Sequence, residues 1–512
     1  MAFWRRRLAL ELDWMRILQT LLGAALVGSL LFIARFPATK TLAAPTGSDP
    51  GNWLAFAHEL RGNEVRLAEG AYPPLVPFAL GGLLHLTNPI VALNWIGHGA
   101  YIALAIAFFM LIRVLTSLPL LMQVGVSMLF SLAPFNGEAF AWGGFPQLAG
   151  LAFLLIASMG IEKWISSGRG LWGWAGAIFG AAVVYTHVLA AILLLSVMLI
   201  QTAWIVARAL KEWEVYLKRL ALVAGGIVVL SMLAIPSYLT SLQQLATDPT
   251  NVAKARLGEL GEILNYVFRS PPALWTALLL LAVALPFLMR DRQGIATLVA
   301  ITWTAILLFV VVVETRILHL LVIAGPLAAA MVLDHTWPAY VTSWLSAARA
   351  MALAGLLAVS IAIVVPVSNR SFRAALDWYQ VVDADVLDGM QWLREFTPPE
   401  TRIVATSAGP SHYPLGWWIE GYAQRHTLYA VPELRWVVFR QEREYAEVAN
   451  KVFDSSASAD EVVDTLRTHG AEFLFVDKSA LVDDSNISTL VDKWFLVPVY
   501  ENRRVLILEV SP

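Results

Sequence analysis

The chain has 512 residues, 58% hydrophobic and only 14% charged, with a net charge of −2 and no cysteine. A soluble domain carries roughly a quarter charged residues, so a fully soluble globular chain is excluded, as is a basic nucleic-acid binder. Without cysteine there are no disulfides, thiolate metal sites, cysteine nucleophiles or palmitoylation.

The charge deficit sits in residues 1–367, where apolar runs approach membrane-spanning length, while 368–512 has a soluble composition. The opening "MAFWRRRLALELDWMRILQTLLGAALVGSLLFIARF" has a basic lead and an apolar run from Ile17 to Ile33. It lacks a small-x-small cleavage site, so the expectation is an uncleaved signal anchor. "TGSDPGNWLAF" follows, with Asp49 before a helical stretch, "GNWLAFAHEL". Residues 74–87, "PLVPFALGGLLHLT", are too short and proline-rich for a span and fit a juxtamembrane or re-entrant helix. Apolar runs then fall at 90–112, 118–133, 147–161, 171–186, 188–207, 220–237, 272–289, 294–313, 317–333 and 349–367. With the first at 15–35 they predict about eleven transmembrane helices.

Positive charge orients them. With Arg5, Arg6, Arg7 and Arg16 cytoplasmic, the inner loops hold Arg113, Lys163 with Arg169, Arg208 through Arg219, Arg290 with Arg292, and Arg349. Arg61, Arg66, Lys254 and Arg256 fall on the outer side as exceptions. The predicted topology is a multi-pass plasma-membrane protein with a cytoplasmic N-terminus, and with Asp49 and residues 368–512 outside. The last part alternates helices ("DADVLDGMQWLREF", "ADEVVDTLRTHG") with strands ("TRIVATS", "AEFLFVDKS", and a hairpin in "FLVPVYENRRVLILEV"). That alternation predicts a small extracytoplasmic α/β domain.

Polar groups at span ends gather on this outer side. They are Asp49, Glu138 in "APFNGEAFAWGGFPQ", Tyr185 and His187 in "YTH", and Glu314, Arg316 and His319 in "VVVETRILHL". Each has a bland reading: Asp49 as a helix cap, Glu138 as a solvated loop acid, His187 as an interfacial hydrogen-bonding group, Glu314 and Arg316 as snorkelling charges. Their shared side favours a cleft. There a carboxylate can deprotonate or orient an acceptor, and arginine can meet a phosphate. Acids can also hold a divalent cation such as Mg or Mn, with Asp49, Glu138 and His187 as candidate ligands. No nucleotide-binding glycine loop is present.

The layout resembles the GT-C superfamily of integral-membrane glycosyltransferases, which includes the protein O-mannosyltransferases, aminoarabinose transferases and oligosaccharyltransferase catalytic subunits. "GSDPGNWLAFAHELRGNEVRLAEGAYPPLVPF" resembles their long first outer loop, with Asp49 in the place of its acid and Tyr72 to Leu75, "YPPL", opening a juxtamembrane helix. "PLGWWIEGYAQRHTLYA" resembles the oligosaccharyltransferase W-W-D-Y-G region through Trp417, Trp418 and Gly421. Ile419 replaces the aspartate and Glu420 the tyrosine, which argues against an asparagine-glycosylating enzyme. "ETR" at 314–316 resembles the outer-loop glutamate of the same enzymes. The chain looks most similar to bacterial GT-C-like proteins with a single α/β tail and a W-W-x-E-G segment before a charged helix, here "RQEREYAEVANKVF".

The resemblance implies transfer of a sugar from a polyprenyl-phosphate-linked donor to a glycan, lipid or protein acceptor, among membrane lipids and with no nucleic acid. Asp49 and Glu138 would be the catalytic acids, with His187 lining the cleft. Arg316 would meet the donor phosphate, with Glu314 and His319 nearby. His58 and Glu59 would serve from the juxtamembrane helix. Trp417 and Trp418 would stack on sugar or lipid beside Glu420, or else seal the soluble domain against the membrane part. Two alternatives stay open: a transporter or flippase of a lipid-linked glycan, and a non-catalytic GT-C-like lipid- or glycan-binding protein. The transporter would need paired halves that the sequence does not display.

Overall fold

A computed structural model describes residues 2–66, 72–208, 213–234, 280–286, 288, 294–312, 318–341, 355, 364–408, 413–431, 440–454, 457–480 and 495–511. Glu314, Arg316 and most of the runs at 272–289 and 349–367 lie outside them.

The first part is helical. Three helices are long and apolar enough to cross a membrane: Trp14–Thr39 within α1 (Ala2–Thr39), α4 (Pro89–Leu115) and α7 (Phe145–Ser167). α5 (Leu120–Ser131) and α6 (Pro134–Ala141) pass that test only as a pair, bent by 52°. The run at 118–133 is therefore one arm of a bent pair, in the form of a broken span or a re-entrant loop. Pro134 disfavours helical geometry in the residue before it, and Ala133 takes φ −55, ψ 136. Shorter apolar stretches lie in α8 (Gly170–Val184), α9 (Val188–Arg208), α11 (Ile295–Val312) and α12 (Leu318–Val341). α10 (Trp213–Ser231) lies beside α8. Among the described residues, length and composition thus support three spans, or four with the bent pair, against the eleven predicted.

Close helix packing relies on small residues, as expected where lipid supplies no hydrophobic driving force. A Cβ on Gly160 of α7 would lie 2.7 Å from the Gly176 backbone nitrogen of α8. Between α1 and α4, two short helices stand apart from the spans: α2 (Asp49–Glu59) and α3 (Leu75–Leu83). α3 occupies the stretch expected to be juxtamembrane.

The last part is α/β. Its five-stranded sheet has the order β2-β1-β3-β5-β4. β1 (Arg402–Ala405) runs parallel to β2 (His426–Tyr429) and β3 (Phe473–Asp477), while β5 (Val505–Val510) is antiparallel to β3 and to β4 (Leu496–Glu501). α13 (Ala384–Phe396) is capped by Asp383, whose side chain accepts from the Val386 amide. α14 (Arg440–Val452) follows β2. α15 (Ala459–Thr468) carries a full capping box of Ser458 and Glu461 and stops before Gly470, at φ 61.

The two parts are continuous. A helix over 364–378 runs through the expected boundary at 367. Arg35, at the end of α1, ties it down. Its guanidinium donates to Ser368 Oγ at 2.6 Å and Asn369 Oδ1 at 2.9 Å and lies 4.6 Å from the Phe372 ring centre. One apolar core joins Leu31 and Phe108 to Leu54, Trp418, Phe475 and Ile507.

Candidate functional site

α2 is the hub. Asp49 is its first residue and Pro50 its second; Ser48 at the N-cap position makes no side-chain cap. Asp49 sits in the first turn, where the aligned backbone dipoles favour negative charge. The loop before it is clamped. Thr46 Oγ1 donates to the Ala141 carbonyl at 2.6 Å, the Gly47 amide donates to the Tyr379 carbonyl at 2.7 Å, and the Gly47 carbonyl accepts from Trp418 Nε1 at 2.8 Å. One turn into α2, Trp53 Nε1 donates to the Gly143 carbonyl at 2.7 Å. Gly47 adopts φ 89 and touches the Trp142 carbonyl so closely that a Cβ would lie 2.1 Å from it.

The clamp sets the start of α2 against the end of α6. Glu138 lies on α6, and its Oε1 accepts from the Tyr379 hydroxyl at 3.1 Å. The Tyr379 ring is 5.7 Å from that of Tyr413 and 6.3 Å from that of Trp142. Burial pushes the Tyr413 phenol up to about 12, and the charges of both Glu138 and Asp49 add to the rise. Glu138 meets this tyrosine pair through its bond with Tyr379, and the charge of Asp49 is felt at Tyr413; each carboxylate is half-buried. On another side of α2, Tyr72 packs on Trp53 at 4.5 Å and meets His187 edge-on at 6.2 Å. His187 thus joins the wall of α2 through Tyr72. Among the described residues no three His, Asp or Glu side chains gather as a metal-binding group. Asp49, Glu138 and His187 accordingly offer a cation no ready three-ligand seat.

A second cluster, under α2, replaces part of the expected ligand surface. Arg66 is buried. Its guanidinium bonds Asn52 Oδ1 at 2.6 Å and Glu442, approaches Glu420 and Glu59 at 3.8 Å each, and lies 4.4 Å from the Phe56 ring centre. Burial alone would lower its pKa, but Glu442, Glu420, Tyr429 and Glu59 turn the balance upward. Burial pushes Glu420 up to about 8 and Glu59 up to about 7, with Arg66 pulling both back. One cation among three carboxyls balances one negative charge. Burial raises Glu442 as well, but its direct contact with Arg66 favours it as the member that carries the charge, while Glu420 and Glu59 bind protons more tightly than free carboxyls.

Trp417 and Trp418 are 7% and 0% exposed, and both indole N–H groups are engaged, Trp417 with the Tyr429 hydroxyl at 2.7 Å and Trp418 with Gly47. The stacking surface expected of them is not open; they seal the α/β domain onto α2. Glu420, beside them, points to Arg66 rather than to a ligand. His58 is also buried, against the Gly421 backbone. Burial first, then Arg61 and Arg394, push its imidazole down to about 4, so it is neutral near pH 7. Glu314 and Arg316 are outside the described residues, and the backbone of His319 lies in the first turn of α12.

Sequence reading missed Tyr379, Tyr413, Arg66 and Glu442. Arg66 and Glu442 are 376 residues apart, and nothing local to either marks the pair. The only hint was Arg66 standing on the wrong side for the charge bias.

No family model and no curated protein matches the chain in sequence. Solved structures do match in fold. ArnT from Cupriavidus metallidurans bound to undecaprenyl phosphate superposes with a TM-score of 0.58 at 13% identity, over 95% of this chain and 97% of that one. The Archaeoglobus fulgidus oligosaccharyltransferase in complex with Zn and sulfate gives 0.56 at 14%, over 90% and 68%. The arabinofuranosyltransferase AftD from Mycobacteria gives 0.57 at 16%, over 96% of this chain and 41% of that longer one.

Proposed function

We propose, taking as premise the GT-C fold that this membrane protein shares with those transferases, that it moves a sugar from a polyprenyl-phosphate-linked donor to an acceptor at the outer face of the plasma membrane. The observation that carries the reading is the clamp that holds the loop and first turn carrying Asp49 against α6, where Glu138 bonds Tyr379, at the seam with the α/β domain. Neighbours solved with undecaprenyl phosphate or with a dolichol-phosphate and a peptide supply the donor class by analogy.

The acceptor hydroxyl oxygen attacks the anomeric carbon, and its proton passes to Asp49. The carbon–oxygen bond to phosphate breaks, and polyprenyl phosphate leaves with the bonding pair. Glu138, held by Tyr379, keeps a second negative charge beside the attacking group. Arg316, with Glu314 and His319, is the candidate partner for the departing phosphate. His187 and Tyr72 flank α2 on the Trp53 side. Trp417, Trp418, Glu420 and His58 act as packing and positioning groups for α2, not as ligand contacts.

The test is Asp49→Asn in reconstituted membranes with a radiolabelled polyprenyl-phosphate sugar. Loss of a general base predicts a rate lower by about two to four orders of magnitude. Insertion and Tm should be unchanged. Transfer at the wild-type rate would remove Asp49 from the chemistry.

A further inference from the structure

At the far end of α7 from the α2 seam lies a cavity of about 330 Å³ lined by Lys163, Ser166, Ser167, Arg169 and Trp172. α7 has 23 residues, so at about 1.5 Å per residue this cavity is roughly a bilayer core away from Phe145 and the Asp49 site. We infer that the cavity binds the phosphate of an anionic membrane lipid, at a site separate from the proposed transferase centre.

Charge is the first argument. Among the described residues no carboxylate forms an ion pair with Lys163, Arg169 or Arg219. The adjacent acid is turned away: Glu162 points inward, accepting from the Gly294 amide at 2.5 Å and from the Thr297 hydroxyl. Cations with no carboxylate in ion-pair contact at a membrane edge attract anionic headgroups.

Shape is the second. Gly168 closes α7 at φ 66, in the left-handed region that suits glycine, and Arg219 lies over it. A Cβ at that position would be 2.6 Å from Arg219 Nη2. Arg219 is fixed there by its bond to the Ile165 carbonyl at 2.6 Å, while Trp164 Nε1 donates to the Arg219 carbonyl at 2.9 Å. Ser167 Oγ donates to the Lys163 carbonyl at 2.6 Å and accepts from the Arg169 amide at 3.3 Å. The serines therefore shape the turn, and Lys163 and Arg169 are left to meet the phosphate.

The third argument decides between a lipid and a free phosphate. On α8, which starts at the cavity, Leu171, Trp174 and Ile178 are exposed. Their spacing of three and four residues puts them on one helix face. This apolar stripe leads away from the cavity along the direction an acyl chain would take.

The test uses the full chain in detergent, with bound lipid counted by native mass spectrometry against dioleoyl phosphatidylglycerol and dioleoyl phosphatidylcholine. Wild type should retain phosphatidylglycerol preferentially. At the strength typical of one basic side chain near a lipid surface, Arg169→Gln should weaken it about fivefold, and Lys163→Gln with Arg169→Gln more than tenfold. Phosphatidylcholine should be unaffected. Equal phosphatidylglycerol retention in wild type and double variant would overturn the site. Displacement of the lipid by millimolar inorganic phosphate, dependent on the same two residues, would overturn the lipid and leave a free-phosphate site. If the double variant does not fold, Arg169→Gln alone, on an exposed residue, decides in the same way.

Discussion

A single guanidinium decides how α2 is seated. Arg66 has a carboxylate in contact and two more carboxyls at 3.8 Å, all shielded from water to different degrees. Removing one partner of such a buried pair leaves the other charge stranded, at a cost of about 3–5 kcal/mol. Arg66→Met should lower stability by that order in thermal or denaturant unfolding, and less at acid pH, where Glu442 takes a proton. Loss below about 1 kcal/mol would mean the pair is a surface-like contact. The same cluster sets a pH dependence. Glu420 has a folded pKa of about 8 against 4.5 in the unfolded chain, so the native state holds more protons between those values. Stability therefore falls as pH rises through this window, and Glu59, at about 7, adds to the fall. His58, lowered to about 4, works the other way, but only below its ordinary value of 6.5. From pH 6.5 to 8.5 the carboxyls dominate. Wild type should lose stability on alkalinisation across that range, and Glu420→Gln, which mimics the protonated acid, should flatten the loss. An unchanged slope in the variant would show that Glu420 is not protonated when folded.

Between elements, the contact that matters is backbone on backbone. α2 and the turns Gly416–Ala423 approach until a Cβ on Gly51 would lie 2.6 Å from the Trp418 Cα, and one on Gly421 2.3 Å from the Gly51 carbonyl oxygen. Both obstacles are main chain and have little room to yield. Gly421→Ala should push the π-helical turn Ile419–Ala423 off α2 and open the seam beside Asp49. Faster hydrogen exchange at Trp53–Phe56 and loss of transfer without loss of insertion are the expected signs. Wild-type exchange there would show the seam to be compliant. Much of this domain was legible in sequence because its signals are local. Asp383, the Ser458–Glu461 box, Gly470 and the turn after Glu501 each act within a few residues. The bent pair was less so: an apolar run of the right length concealed the effect of Pro134. The tryptophan pair was ambiguous for a different reason. Two adjacent indoles serve a sugar platform or a sealed joint equally well, and only the positions of Gly47 and Tyr429 decide. Asp49 and Glu138 were found as acids near span ends, but the tyrosines near them, Tyr379 and Tyr413, lie beyond residue 370 and carry no local mark.

At the scale of the molecule, the membrane part and the α/β part do not have separate interiors at their junction. The sheet has its own small core around Val404, Leu428, Val462 and Leu474, on the side covered by α14 and α15. Its other side contributes Phe475 and Ile507 to the larger core, together with Trp418, Ile419, Leu54 and the helices beyond. Cutting at the compositional boundary would therefore uncover the tryptophans and one face of the sheet, and leave Glu442 and Glu420 without Arg66. Exposed apolar patches of that kind favour association. Residues 380–511 made alone should aggregate or bind a hydrophobic dye, and should melt without a sharp transition. Adding a fragment that contains α1 to α7 should restore a cooperative melt if the two halves complete each other's core. A monomeric, cooperatively melting isolated fragment would instead mean that the sheet's own core suffices. The seam would then be a docking surface between two finished domains, and the clamp on Asp49 would have to be supplied by the membrane helices alone.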